Sequence, residues 1–182
     1  KSVLETLTYL PLVLPPTAVG YLLLSLLARR GPLGMSSLGF DLGFLFTWKG
    51  AVLASAVMAL PLVVRTARIA FEGVSARLES MGRTLGMSPL RVLWEITLPL
   101  ARRGLLASGV LGFSRALGEF GATVIVAGNI PGKTQTLALA IFNDIQIGRD
   151  DEARRLVALS AVLAFFAIWI SERLQSQRRK RA

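Results

Sequence analysis

Four apolar runs, each near the length of a membrane-crossing helix, decide what this chain can fold into. A bilayer core takes about 20 mostly apolar residues to cross as a helix, and lipid offers no partner to an unpaired backbone group. The first run, residues 7–27, reads LTYLPLVLPPTAVGYLLLSLL. It contains Pro11, Pro15 and Pro16. Membrane helices tolerate proline where neighbours satisfy the freed carbonyls, so one spanning helix is expected here. The second run covers about residues 50–69, with an uncharged core at 50–64. It spans if Arg65 and Arg68 lie at the interface with their aliphatic stems along the apolar surface. The third, about residues 104–127, holds two charges, Arg115 and Glu119. The fourth, residues 156–170, reads LVALSAVLAFFAIWI and is expected to extend to Leu174, with Trp169 near an interface. Composition agrees: 53% of residues are hydrophobic and 18% charged, against about 25% charged in a soluble domain. The expected class is an all-α polytopic membrane protein with four transmembrane helices.

Consecutive spans place their loops on alternating sides. One side receives thirteen Lys and Arg: Lys1, the segment 65–103 and the tail ERLQSQRRKRA. The other receives seven. Positive residues accumulate on the cytoplasmic side, which makes the first side cytoplasmic. The net charge of +10 is thereby read as cytoplasmic loops, with no nucleic acid as partner. The terminal RRKR is read as an anchor beside anionic lipid. The chain has neither cysteine nor histidine. That excludes a disulfide framework and removes the commonest metal ligands and general base.

One stretch imitates a nucleotide site. Residues 127–136, AGNIPGKTQT, contain Gly-Lys-Thr after the strand-like TVIV. A phosphate-binding loop needs four residues between its glycines, because that length lets backbone N–H groups wrap the phosphates. Gly128 and Gly132 have three between them, and Ala127 stands where glycine is required. The stretch also falls on the outer face, away from cytoplasmic ATP. TVIV is therefore read as the end of a membrane helix, and Asn129, Pro131 and Gly132 as turn residues.

The loop between the second and third runs, about residues 72–103, carries a helix–turn–helix pattern. Gly86 suits the left-handed end of a first helix. Ser88 suits the N-cap and Pro89 the first position of a second helix, expected from Pro89 to about Ile96. Leu90, Leu93 and Trp94 share one face of it. Pro99 is expected to end or kink it. Two readings stay open on these residues alone: a solvated connector, or a docking element for a cytoplasmic partner.

This loop resembles the signature of binding-protein-dependent ABC importer permeases, E-A-A-x-x-x-G, nine residues, then I-x-L-P. Gly86 takes the glycine position, Met87 to Glu95 are the nine, and Ile96, Leu98 and Pro99 follow. The E-A-A letters fall on Ser80, Met81 and Gly82, while Glu79 stands one place earlier. RTLGMSPLRVLWEITLPL, SRALGEFGATVIVAGNIPGKTQTLALAIF and YLPLVLPPTAVGYLLL also resemble the permease subunits of molybdate importers, with sulfate/thiosulfate permeases as near relatives. That family has further membrane helices before the point matching Lys1, so the chain is expected to be N-terminally truncated. The resemblance implies a single permease domain over residues 1–182 with a type I importer permease-like helical bundle. It implies no catalysis and no cofactor on this chain, with ATP bound by a separate ABC ATPase subunit. It implies an extracytoplasmic molybdate-binding protein and a permease homodimer as further partners. The helix carrying the ATPase contact corresponds to residues 86–96. Met87, Pro89, Leu90, Arg91 and Trp94 make the contact, within a coupling set of Gly86, Met87, Ser88, Pro89, Leu90, Arg91, Trp94, Ile96, Leu98 and Pro99.

Arg115 and Glu119 form the second candidate site. An arginine within a span costs about 2.5–3.5 kcal/mol on insertion scales, so it faces protein or a wet cavity. It either presents charge to a passing dianion or forms a structural ion pair with Glu119. Gly118 and Gly121 are expected to let another helix approach. The outer segment 129–151 is either a solvated loop or a surface where Lys133, Thr134 and Gln135 meet a binding protein or anion. Outside this family, a membrane-bound enzyme or scaffold unrelated to ATP remains the rival reading, though no convergent carboxylates, Cys or Ser–Lys pair supports an enzyme.

Overall fold

The computed structural model describes residues 2–179. Lys180 and Arg181, half of the expected basic anchor, lie outside the described residues. Every regular element among the described residues is helical. In order these are α1 (Ser2–Val13), α2 (Pro16–Leu27), α3 (Met35–Leu38), α4 (Trp48–Glu72), α5 (Ala76–Thr84), α6 (Pro89–Val92), a π-helical turn (Leu93–Thr97), α7 (Leu98–Leu117), α8 (Gly121–Ala127), α9 (Leu137–Gln146) and α10 (Asp150–Arg179).

Two of the four expected spans are single helices of spanning length and composition, in α4 and in α10 over Asp150–Arg173. The first run departs from expectation. It is a bent pair, with α1 and α2 at 118°. Pro11 sits inside α1 without ending it, but the adjacent Pro15 and Pro16 do break the helix. Pro16 forces the residue before it into extended geometry, and Pro15 takes φ −55°, ψ 137°. Two consecutive residues then lack the N–H a continuing helix needs. The third run is also bent, by 68°, between the helix continuous from Pro89 to Leu117 and α8. Four spans result when each bent pair counts as one.

The chain divides into two compact units. The first joins the residues up to Pro61 with Phe113–Ala164. Its core is Val19, Ala54, Met58, Ala122 and Val126, with Leu14, Leu23, Leu45 and Val57 packed on it. Small residues bring α2 and α8 together. A Cβ on Gly20 would lie 2.9 Å from Ala122 Cα, and one on Gly121 would lie 2.8 Å from Pro16 Cβ. Gly118, expected to play that part with Gly121, has open space instead. The segment 129–151 is no plain loop, since it contains α9. Thr136 caps that helix by accepting from the Leu139 N–H at 3.4 Å. Leu139 is buried, and Phe142 meets Phe120 at 4.8 Å between ring centroids.

The second unit joins Leu62–Gly112 with the chain from Phe165 on. Here α4 and α7 approach through small side chains: Cβ atoms on Gly104 and Gly112 would come within 2.5 Å of Ala70 Cβ and 2.2 Å of Val63 Cγ2. Such contacts suit a membrane, where helix association depends on close van der Waals packing rather than on expelling water. On α10 the guanidinium of Arg173 lies 5.0 Å from the ring centre of Trp169, a cation–π contact that suits an interfacial tryptophan.

Candidate functional site

The loop at α5–α6 is a built structure. Leu85 caps α5, and Gly86 follows with φ +83°. The Gly86 N–H donates to Arg83 O at 3.0 Å and the Met87 N–H to Gly82 O at 3.1 Å. These are the two bonds of a Schellman ending, which requires the left-handed residue that glycine supplies without penalty. Ser88 then starts α6, its Oγ accepting from the Arg91 N–H at 3.3 Å. Pro89 occupies the first position, where its missing N–H has no partner to lose.

The second helix does not stop near Ile96. It passes through the π-helical turn, closed by Leu98 N–H to Leu93 O, and runs on as α7. Pro99 neither ends nor interrupts it. Its ring would meet the carbonyl of Glu95 in a regular helix, and the turn just before it is π-helical instead.

The exposed side of this hairpin carries large apolar residues among its charged ones. Leu85 is 82% exposed, Leu90 68% and Trp94 61%. Gly86, Ser88, Pro89 and Pro99 are exposed as well, while Met87, Ile96 and Leu98 are half-buried. Arg91, exposed too, donates from Nε to Glu95 Oε1 at 2.8 Å, one helical turn on. The inner side is Gly82, Val92 and Thr97, all buried. A Cβ on Gly82 would meet Ile96 Cδ1 at 2.6 Å, Met87 Sδ at 3.2 Å and Val92 Cγ2 at 3.3 Å, so α5 rests directly on the second helix. Thr97 Oγ1 donates to Glu79 Oε1 at 2.6 Å. Sequence reasoning placed Glu79 and Gly82 at the signature but gave them, and Thr97, no part in the site. The spacing to Gly86 put the acidic letter on Ser80, and nothing local pairs Glu79 with a residue eighteen positions on.

Arg115 and Glu119 lie together in the first unit. Arg115 Nη1 donates to Glu119 Oε2 at 2.9 Å, with side-chain exposures of 37% and 2%. Glu119 stands past the end of α7, in the break before α8. Its other oxygen, Oε1, accepts the Ala122 N–H at 2.9 Å, one of the free donors of the first turn of α8. Thr123 Oγ1 donates back to Phe120 O at 2.9 Å. One buried carboxylate thus neutralises the arginine and caps the next helix, which makes the break a fixed feature.

The stretch that imitates a phosphate loop is a closed turn. TVIV belongs to α8, and Gly128 and Gly132 take φ +70° and +72°. Thr134 is buried, its Oγ1 accepting the Ile130 N–H at 3.0 Å. Lys133 is exposed. The hydroxyl that a nucleotide site would offer to a metal ion is committed to the turn. No cluster of three or more His, Cys, Asp or Glu suited to a metal occurs among the described residues.

Comparison with known proteins gives the family. The family model for the binding-protein-dependent transport system inner membrane component matches residues 1–176. The molybdenum transport system permease protein ModB of Escherichia coli K12 is 48% identical over all of this chain and 80% of its own length. ModB of Haemophilus influenzae is 46% identical over 97% of the chain and 80% of its own length. The sulfate transport system permease protein CysT of Salmonella typhimurium is 36% identical over 80% of the chain and 53% of its own length. This chain of apolar spans, with a hairpin that exposes large apolar residues in its basic loop, belongs to the family of inner-membrane components of binding-protein-dependent transport systems.

Proposed function

We propose that this chain lines the membrane pathway of an ATP-driven importer for molybdate, with tungstate as chemically similar cargo. It works as a homodimer with a separate ABC ATPase and an extracytoplasmic molybdate-binding protein. The hairpin of α5 and α6 carries this reading. A capped cytoplasmic element that leaves Leu85, Leu90 and Trp94 exposed is suited to seat its apolar face in a groove of a partner. We assign the ATPase contact to Gly86, Met87, Ser88, Pro89, Leu90, Arg91 and Trp94, with Ile96, Leu98 and Pro99 joining the hairpin to α7. Closure of the ATPase pair drives a rigid-body change that opens the pathway outward. Within the pathway, Glu119 holds Arg115 in a neutralised pair, so a passing dianion meets a muted charge and is not retained. The choice of cargo follows the molybdenum permeases, which match more of the chain at higher identity than the sulfate permease.

The test is uptake of labelled oxyanion into vesicles holding the full-length permease with its ATPase and binding protein. ATP-dependent molybdate uptake that excess sulfate leaves intact is expected. Sulfate uptake in its place keeps the architecture and changes the cargo. Gly86→Ala combined with Trp94→Ala is expected to abolish uptake by an assembled importer. Retention of full uptake in that variant removes the docking role.

A further inference from the structure

The joint between α6 and α7 is the π-helical turn Leu93–Thr97. A π-helical turn is a rare, single-turn departure from the α-helix on either side, and such turns recur at functional positions. Helix α6 itself is only four residues long. A push delivered to Leu90 or Trp94 would dissipate by bending Leu93–Thr97 unless something held that turn from the side. Helix α5 does so. Gly82 lets it lie within van der Waals reach of Ile96, Met87 and Val92. One turn earlier on the same face, Glu79 accepts the Thr97 hydroxyl at 2.6 Å. That distance lies in the short range of hydroxyl-to-carboxylate bonds, about 2.5–2.7 Å, which are roughly twice as strong as neutral ones. Thr97 is 7% exposed, so little water competes for its proton. The alternative acceptor, Val92 O, is 3.5 Å away.

We infer that Glu79 and Thr97 are positioning residues for energy coupling: their hydrogen bond braces the π-helical turn so that α5, α6 and the first turns of α7 move as one body. This rests on the docking role proposed above for Trp94 and its neighbours. Without the brace, the ATPase still docks and hydrolyses ATP, but part of its motion is lost in the turn.

The decisive quantity is molybdate imported per ATP hydrolysed by the complete transporter in vesicles. Thr97→Val removes the donor at nearly constant shape and is expected to lower that ratio about threefold or more, a size usual for residues along a coupling route. The ATPase should remain bound. Thr97→Ser keeps the donor and is expected to stay near the parent ratio. Glu79→Ala is expected to match Thr97→Val, and the double variant to be no worse than either, because one bond is lost once. An unchanged ratio in Thr97→Val overturns the brace. So does an equal fall in Thr97→Ser, which would trace the effect to packing. If Thr97→Val does not assemble, the partly exposed Glu79→Ala carries the same test. Trp94→Ala, scored by ATPase retained on purification, reads docking separately. Loss of ATPase there with a normal ratio in Thr97→Val sinks the brace alone, whereas full retention sinks both.

Discussion

Glu119 serves two donors with one buried carboxylate, the Arg115 guanidinium and the Ala122 N–H. Removing it strands both. Breaking a buried ion pair from one side costs about 3–5 kcal/mol, because the remaining charge has no partner. Arg115 keeps over a third of its side chain exposed, which places Glu119→Ala near the lower end, about 3 kcal/mol. A marked fall in the thermal midpoint of the detergent-purified protein is the expected readout. Arg115→Met with Glu119→Gln leaves no buried charge and keeps an oxygen for Ala122, so most of the midpoint should return. Uptake by that double variant separates the two roles open for Arg115: normal transport assigns the pair to structure, and lost transport in a stable protein assigns Arg115 to the anion. The i, i+4 spacing made the pair legible in the sequence. The capping of α8 was not, because Gly118 alone does not announce where α7 ends.

At the level of elements, legibility followed how local the deciding physics is. The endings around Gly86, Ser88 and Pro89 depend on backbone geometry within a few residues, and the structure has them as the sequence implied. The break at Pro15–Pro16 was misjudged because tolerance of one proline was extended to two in succession. Helix α9 was left open because the charges around it masked the apolar LALAIF run after the Thr136 cap. Close approach of α2 and α8 depends on which glycine faces which helix, and spacing cannot say that. Gly118 and Gly121 look alike in the sequence, yet only Gly121 is in contact. Overpacking a close contact costs about 1–3 kcal/mol. Gly121→Ala and Gly20→Ala should each destabilise the fold by that much, since the atoms met are Pro16 Cβ and the backbone of Ala122. Gly118→Ala should be close to neutral. Thermal midpoints of the three variants in one detergent decide it, and equal losses in all three would contradict this packing.

At the scale of the whole molecule, the distribution of Lys and Arg predicts the side of every loop. A short loop rich in Lys and Arg resists translocation, so the side holding thirteen is expected inside against the side holding seven. The claim needs neither the ATPase nor the cargo to be tested, and the chain is well suited to the test because it has no cysteine. Arg77→Cys and Lys133→Cys each introduce a single thiol at an exposed position, one on α5 and one in the turn before α9. A maleimide that cannot cross the membrane should label Lys133→Cys in intact cells. Arg77→Cys should resist until the membrane is permeabilised. The bent pairs make this more than a formality. If the first run, with its 118° bend, entered and left on one side, every later loop would change sides. Arg77→Cys would then label from outside. The hairpin bearing Leu90 and Trp94 would face away from ATP, and its role as the ATPase contact would fall with the orientation.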